Sequence, residues 1–165
     1  MMVQKILVAV DHSDLGKKVL ATAQSLGLKY QAELMIIHVL TPDEETSSLF
    51  IPADVTEFYN TSTVELNLAA WQKQWEAYCA QNLQLLQRFT QESEAQGLKV
   101  NYQQLIGHPG KLICQTGESW GADVIVIGHR GRSGLKELFL GSVSNYVVHH
   151  GSCSIFMVQT PPTST

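Results

Sequence analysis

The stretch with the most recognisable chemistry is "GHRGRSGLKELFLGS" at residues 128–142, which holds four glycines, two arginines, a histidine and a lysine. It starts at the end of the apolar run "ADVIVIG" and leads into the helix-like segment "VSNYVVHH". A glycine-rich loop between a strand and a helix gathers backbone N–H groups at the positive end of the helix dipole, which favours an anion. The segment is therefore a candidate cradle for a phosphate chain, and the alternative is a permissive surface turn.

Individual residues of this segment suit phosphate in different ways. Gly128 and Gly131 allow the main chain to approach a ligand, while Gly141 and Ser142 place amides and a hydroxyl at the start of the next helix. Local positive charge comes from Arg130, Arg132 and Lys136. Neither GxxxxGK[ST] nor GxGxxG occurs in the chain, so the spacing excludes both common phosphate-binding fingerprints.

The composition sets limits on the partners that the chain can have. The 165 residues carry 11 basic and 15 acidic side chains, a formal charge of −4, so no overall field attracts nucleic acid or an anionic membrane. We expect one domain over residues 1–160 and a flexible tail at 161–165. No apolar stretch reaches membrane-spanning length, and "ILVAV" is too short for a signal-peptide core, so we expect a cytoplasmic protein.

Apolar runs alternate with segments of helical periodicity along the chain. "VQKILVAVD", "AELMIIHVL", "ADVIVIG" and "CSIFMVQ" are nearly continuous apolar runs typical of buried parallel strands, whereas "LKVNYQQLI" alternates and is expected nearer an edge. Four helices fall between or after them, one of which covers about residues 64–96. The pattern predicts a single-domain, Rossmann-like α/β fold: an open five-stranded, mostly parallel sheet with helices on both faces.

In such sheets a ligand binds at the carboxyl ends of the strands, where the winding direction reverses. That rule selects Asp11, Val39 and Gly128 at the ends of strands one, two and four. Asp11 is either a ligand acceptor or a cap of the first helix, for which Ser13 and Asp14 are the other candidates. Residues 41–63 form a long segment without clear periodicity, which we interpret either as a lid over the ligand or as a flap that contacts a partner.

Several conspicuous side chains have structural interpretations. His149 and His150 diverge by about 100 degrees on a helix, so a shared metal is not expected and no metal site is predicted. His38 lies in an apolar strand and is interpreted as a core or interface histidine. Trp71, Trp75 and Tyr78 recur at helical spacing and predict core packing. The cysteines are interpreted as reduced thiols because their spacing fits no metal or redox motif, at Cys79, Cys114 and Cys153.

The glycine segment also resembles a known family. Its spacing, Gly128, Gly131 and then Gly141-Ser142, matches the G-x2-G-x9-G-[ST] signature of the ATP-binding branch of the universal stress protein (UspA-like) family, whose fold is that of the adenine-nucleotide α-hydrolases. "KILVAVDHSD", "IIHVL" and "IGHPGKLI" are similar to that family's first strand, second strand and third-helix entry. One departure is Cys153-Ser154-Ile155, where the family commonly has Cys-Pro-Val.

The resemblance implies a binding site for ATP, with or without Mg²⁺. Asp11 and the main chain near Val10 would lie beside the adenine and ribose, and the backbone of Val39 would face adenine. The ribose and α-phosphate would be lined by Gly128, His129 and Gly131. The β- and γ-phosphates would be held by Gly141, Ser142 and Val143. From the residues alone, His129 is equally consistent with exposure to solvent.

The last strand raises the question of a partner. "SIFMV", residues 154–158, is predicted at a sheet edge without a charge, proline or bulge to block pairing, which favours a homodimer formed through this strand. The resemblance implies the same. We therefore expect an ATP-binding regulatory or stress-response module that acts as a dimer, with a protein partner still unknown.

Two other functional classes remain open. One is a slow NTPase or nucleotidyl-transferring enzyme that uses Asp11 with Arg130 or Arg132, although no full set of catalytic groups is evident, so no catalytic residue is assigned and any hydrolysis is expected to be slow. The other is a dimeric adaptor that does not use nucleotide.

Overall fold

The computed structural model describes residues 2–41, 61–129 and 141–159. Within them the chain forms five strands and four helices that alternate in the order predicted. The elements are β1 (Lys5–Ala9), α1 (Asp14–Tyr30), β2 (Glu33–Leu40), α2 (Thr61–Glu94), β3 (Val100–Ile106), α3 (Pro109–Trp120), β4 (Val124–His129), α4 (Ser142–His150) and β5 (Ser154–Gln159). Most of the predicted 41–63 segment and all of the 161–165 tail lie outside the described residues.

The five strands form one parallel sheet in the order β3-β2-β1-β4-β5. The chain winds outward from β1 to β3, returns to place β4 on the other side of β1, and continues to β5. This order confirms the predicted fold class and places the reversal of winding between β1 and β4. Strand β3 lies at an edge, as its alternating sequence predicted.

Helices cover both faces of the sheet. On one face α1 and α2 pack against residues such as Ile6, Val8 and Ile36. On the other face α3 and α4 pack against Leu7, Ile37 and neighbouring side chains. Since successive residues of a strand point to opposite faces, a nearly continuous apolar sequence is what two buried faces require.

The helix ends follow local sequence signals. Ser13 is the N-cap of α1, and its hydroxyl accepts the N–H of Gly16 at 3.1 Å. Pro109 stands in the first turn of α3, where its missing N–H costs no hydrogen bond. Helix α2 starts at Thr61, three residues earlier than predicted.

The prediction that Trp71, Trp75 and Tyr78 form part of the core is wrong. All three are only half-buried, and they stack on one another instead, with ring centroids 6.1 Å apart for the two tryptophans. The reason is the length of α2: its 34 residues span about 51 Å, whereas the strands are at most eight residues long. From residue 69 onward, the first buried residue of α2 is Asn82, and the buried face continues through Leu85, Leu86 and Phe89.

Strand β5 lies at the other edge of the sheet and is less buried than the inner strands. Phe156 is 44% exposed and Met157 is 36% exposed. In the parts of the chain that the structure describes, no helix combines the length and the apolar character that crossing a membrane requires.

Candidate functional site

The carboxyl ends of β1, β2 and β4 are adjacent, so most of the predicted site residues lie at one edge of the sheet. Ala9 is in register with Ile37 of β2 and with Ile127 of β4. The N–H of Val10 extends this ladder by donating to the carbonyl of Ile37 at 3.0 Å. One or two residues beyond Ala9, Ile37 and Ile127 come four of the residues predicted for the site: Asp11, Val39, Gly128 and His129.

Asp11 begins a loop that internal hydrogen bonds hold together. Its Oδ1 accepts the N–H of Ser13 at 3.0 Å and also the Ser13 hydroxyl. Ser13 in turn caps α1, so of the two interpretations of Asp11 the helix cap belongs to Ser13 instead. The carboxylate of Asp11 is thereby oriented at the switch point between β1 and β4.

Gly16, in the first turn of α1 beside this loop, is a residue that sequence reasoning missed. A Cβ at this position would lie 2.2 Å from the carbonyl oxygen of Asp11 and 2.6 Å from its Oδ1. No side chain larger than hydrogen fits beside Asp11 without moving it. The available signal was an isolated glycine in the first turn of a helix, where a glycine needs a packing or functional reason.

Gly128 has a packing role that its sequence position did not reveal. A Cβ here would lie 2.9 Å from both Cγ and Cδ2 of Leu15, and 3.2 Å from Cγ2 of Val19. The glycine therefore lets α1 lie close to β4. This contact is on the α1 side of the sheet, so the fold alone accounts for a glycine at this position.

Gly141 is different, because the described part of the fold gives no reason for a glycine there. Its φ of −55° is open to any residue, and it is the N-cap of α4 without a side-chain hydrogen bond to the helix. Of the residues that the structure describes, a Cβ would meet only Ser144, whose hydroxyl would lie at an ordinary 3.5 Å. Because α4 leads from the carboxyl end of β4, this uncapped N-terminus lies at the edge of the sheet where Asp11 lies.

His129 and Val143 complete the described part of the predicted phosphate side. Nδ1 of His129 is buried and has no hydrogen-bond partner among the described residues. Val143 packs against the core on the α3 and α4 face, which leaves Ser142 exposed in the first turn. Within the described part of the chain, an uncapped helix N-terminus, an open Cβ position and a buried ring nitrogen that lacks a partner fit an anionic ligand. Gly131, Arg130, Arg132 and Lys136 lie outside the described residues.

His38, His150 and the cysteines have structural surroundings. His38 is 6% exposed, as expected for a core histidine. His150 uses Nδ1 to donate to the carbonyl of Tyr146 at 2.9 Å in the last turn of α4. Among residues 2–41, 61–129 and 141–159, no three histidine, cysteine or acidic side chains are grouped to hold a metal ion. Burial raises the pKa of all three cysteine thiols, which lowers the thiolate fraction at neutral pH.

Comparison with known proteins gives one consistent result. The family model described as the universal stress protein family matches residues 2–159. The chain is 35% identical to universal stress protein Sll1388 of Synechocystis over 155 residues, which covers 94% of this chain and 97% of that protein. It is 43% identical to Slr1101 of the same organism over 105 residues, 64% of this chain and 97% of that protein.

Solved structures share the fold at lower sequence identity. A universal stress protein in complex with cAMP superposes with a TM-score of 0.63 at 18% identity, covering 98% of this chain and 100% of that one. A universal stress protein family protein from Arabidopsis thaliana with AMP bound gives 0.59 at 18% identity, covering 98% of this chain and 95% of that one. At these identities the superpositions establish the fold.

Proposed function

The chain belongs to the universal stress protein family, and we propose that it is a cytoplasmic ATP-binding regulatory module that acts as a homodimer. ATP would lie across the carboxyl ends of β1, β2 and β4. The adenosine would lie beside Asp11, Val10 and Val39. The ribose and phosphates would extend past Gly128, His129 and Gly131 to the N-terminus of α4, at Gly141, Ser142 and Val143.

The observation that carries this proposal is the start of α4. Gly141 is an N-cap without a side-chain hydrogen bond, and no described residue blocks its Cβ direction or requires a glycine there. Backbone N–H groups at such a terminus favour a phosphate. The buried Nδ1 of His129 at the end of β4 offers a polar partner on the same side of the sheet.

Solved structures with the same fold support an adenine nucleotide as the ligand. The two solved proteins compared above hold cAMP and AMP, both of which combine adenosine with a phosphate. The G-x2-G-x9-G-[ST] spacing resembles the signature of the family's ATP-binding branch, which favours ATP for this chain. Bound ATP would supply negative charge to the loop and the helix N-terminus, and its occupancy would change the surface that the dimer presents.

The test is calorimetric titration of the purified protein with ATP, with and without Mg²⁺, beside Gly141→Val. The valine side chain would occupy the space where the phosphates approach, so we expect ATP affinity to fall at least about 100-fold, or about 2.7 kcal/mol. The matched control is His108→Val, because His108 is the N-cap of α3 and also makes no side-chain cap hydrogen bond. That variant should bind ATP as the native protein does.

Two results would count against the proposal. One is the absence of ATP binding by native protein from which copurified nucleotide has been removed, which would favour an adaptor that does not use nucleotide. The other is native affinity in a folded Gly141→Val variant, which would place the ligand elsewhere.

The homodimer is proposed to form through the edge of β5, residues Ser154 to Val158. Phe156 and Met157 expose large apolar side chains on β5, which pairs with β4 on one side and with no described strand on the other. Pairing of two such edges around a two-fold axis would complete the ladder and cover these side chains.

Sedimentation analysis tests the dimer directly. The native protein should sediment as a dimer, and Phe156→Lys should shift it toward monomer because two copies of the charge would meet at the interface. Leu28→Lys is the control, since Leu28 is 47% exposed and directly follows Gly27, which packs against Leu34 of β2. A native monomer at micromolar concentration, or dissociation by both variants alike, would rule out this interface.

A further inference from the structure

Helix α2 contacts the loop after β1 through a buried amide side chain. Asn82 is 0% exposed. Its Oδ1 is hydrogen-bonded to Nε2 of His12, and its Nδ2 donates to the carbonyl of Tyr78 at 2.7 Å. A residue of α2 is thus joined to a residue that directly follows Asp11.

The two hydrogen bonds define the state of both side chains. A backbone carbonyl only accepts, so the amide nitrogen of Asn82 must face Tyr78 and the amide oxygen must face His12. Because that oxygen also only accepts, His12 must carry a proton on Nε2. The contact therefore selects one orientation of the amide and one protonated position on the ring.

His12 also contacts a residue of the sheet. Its ring meets that of His38 edge to face, with centroids 5.3 Å apart. His38 lies in β2 immediately before Val39, which is one of the residues of the proposed adenosine side. Asn82, His12 and His38 thus link α2 to the two backbone positions that adjoin adenosine in the proposed site.

Another buried polar contact on α2 provides a comparison. Ser93, also 0% exposed, accepts the side-chain amide of Gln24 in α1 at 2.8 Å and donates to the carbonyl of Phe89. It lies in the last turn of α2, near the amino ends of the strands. Asn82 and Ser93 are therefore equally buried on one helix, and only Asn82 reaches the carboxyl edge of the sheet.

We propose that Asn82 and His12 are positioning residues for the adenosine end of the nucleotide site. They hold the loop after β1 against α2, so that Asp11 and Val10 stand in place before the ligand arrives. This inference rests on the proposed function. It adds that α2, through Asn82, determines affinity for the adenosine part of the ligand and not for the outer phosphates.

The test measures the dissociation constants of ATP and AMP for the native protein and four variants. Asn82→Leu and His12→Leu should weaken both nucleotides by the same factor, about tenfold, because the lost contact acts on the part that they share. His12→Gln should recover most of the affinity, since its amide nitrogen can donate to Asn82 in place of Nε2. Ser93→Ala, which removes the matched contact, should bind both nucleotides within twofold of native.

Gly141→Val separates this inference from the proposed function. In the proposed site Gly141 meets the outer phosphates, so that variant should lower the affinity for ATP much more than the affinity for AMP. Asn82→Leu, by contrast, should lower both affinities equally. Native affinity for both nucleotides in His12→Leu and Asn82→Leu would overturn the inference and leave the proposed function standing. Weakening of ATP with AMP unchanged in these variants would overturn it as well. No binding of either nucleotide by the native protein would overturn both.

Discussion

The two ends of the proposed site are built in different ways. At the adenosine end, the side chains of Asp11, Ser13 and His12 are hydrogen-bonded within the loop or to α2. At the phosphate end, Gly141 starts α4 without a side-chain cap, and Ser142 is exposed. Both ends contain a glycine, yet Gly16 is enclosed by Asp11, whereas a Cβ at Gly141 would clash with none of the described residues.

This difference separates residues that shape the site from residues that meet the ligand. Where the protein's own atoms fill the space around a glycine, the fold requires it, and substitution should cost folding free energy. Where the space is open, substitution should cost only binding. Stability and affinity measured on the same variants therefore distinguish the two ends.

The largest effect on stability is expected from Gly16→Ala. The new methyl would lie 2.2 Å from the carbonyl oxygen of Asp11, so the loop or the first turn of α1 must move. We expect the free energy of unfolding to fall by about 3 kcal/mol, the upper part of the range for overpacking. Urea unfolding measures this change. Affinity for ATP and AMP should fall together, because Asp11 is displaced.

Gly141→Ala is the matched variant at the other end. Its methyl would make an ordinary contact with the Ser144 hydroxyl, so the free energy of unfolding should change by no more than about 1 kcal/mol. Equal destabilisation by the two alanines would contradict the distinction between the two ends.

A smaller loss of stability is expected from Gly128→Ala. Its methyl would lie 2.9 Å from the end of the Leu15 side chain, which can move, so we expect a cost of about 1 to 2 kcal/mol. A double-mutant cycle with Leu15→Ala measures the conflict: in that background Gly128→Ala should cost clearly less. Additive costs would mean that Gly128 is not required by the packing of α1.

Much of this architecture could be predicted from the sequence, because its signals are local. Continuous apolar runs identified the buried strands, and Ser13 and Pro109 marked the starts of α1 and α3. The exposed edge position of β5 followed from chain order alone. The positions of Asp11, Val39 and Gly128 at one edge followed from the rule for parallel sheets.

What could not be predicted depends on contacts between distant residues. Nothing in the sequence around Asn82 indicates that its amide faces His12, 70 positions away. The conflict between Gly128 and Leu15 likewise arises only when α1 is laid on β4. The aromatic residues of α2 were misassigned because of what helical periodicity leaves out. It indicates which residues lie on the same face of a helix, but not how far the sheet beneath the helix extends.

Asp123 lies at the edge of the sheet opposite the proposed site, and substituting it should change stability there. Its Oδ2 accepts the N–H groups of Gln4 and Lys5 at 2.8 and 2.9 Å, joining the starts of β1 and β4. These two donors hold the pKa of the carboxyl below its usual value. Asp123→Ala should lower the free energy of unfolding by about 1 kcal/mol at neutral pH, a modest value because the carboxylate is partly exposed.

The pH dependence of that cost follows from the direction of the shift. A lowered pKa means that the carboxylate stabilises the fold above the unfolded-state value near 4, and that this contribution is lost as pH falls through the folded-state value. The difference between native and Asp123→Ala should thus be constant from about pH 5 to 8 and shrink below about pH 4. ATP affinity should not change, and a parallel loss of ATP affinity would show that stability and binding are not separable here.

The smallest effect on stability is expected from Ser142→Ala. Ser142 is exposed in the first turn of α4, so the variant's free energy of unfolding should stay within about 0.5 kcal/mol of the native value. ATP affinity should nevertheless fall about threefold to fivefold, because a hydroxyl donor to phosphate is lost while the backbone N–H groups remain. Ser152→Ala, at an exposed position before β5, is the control and should change neither quantity. A loss of stability without a loss of affinity in Ser142→Ala would mean that this helix start is part of the fold alone, and the open end of the site would then have to be sought elsewhere.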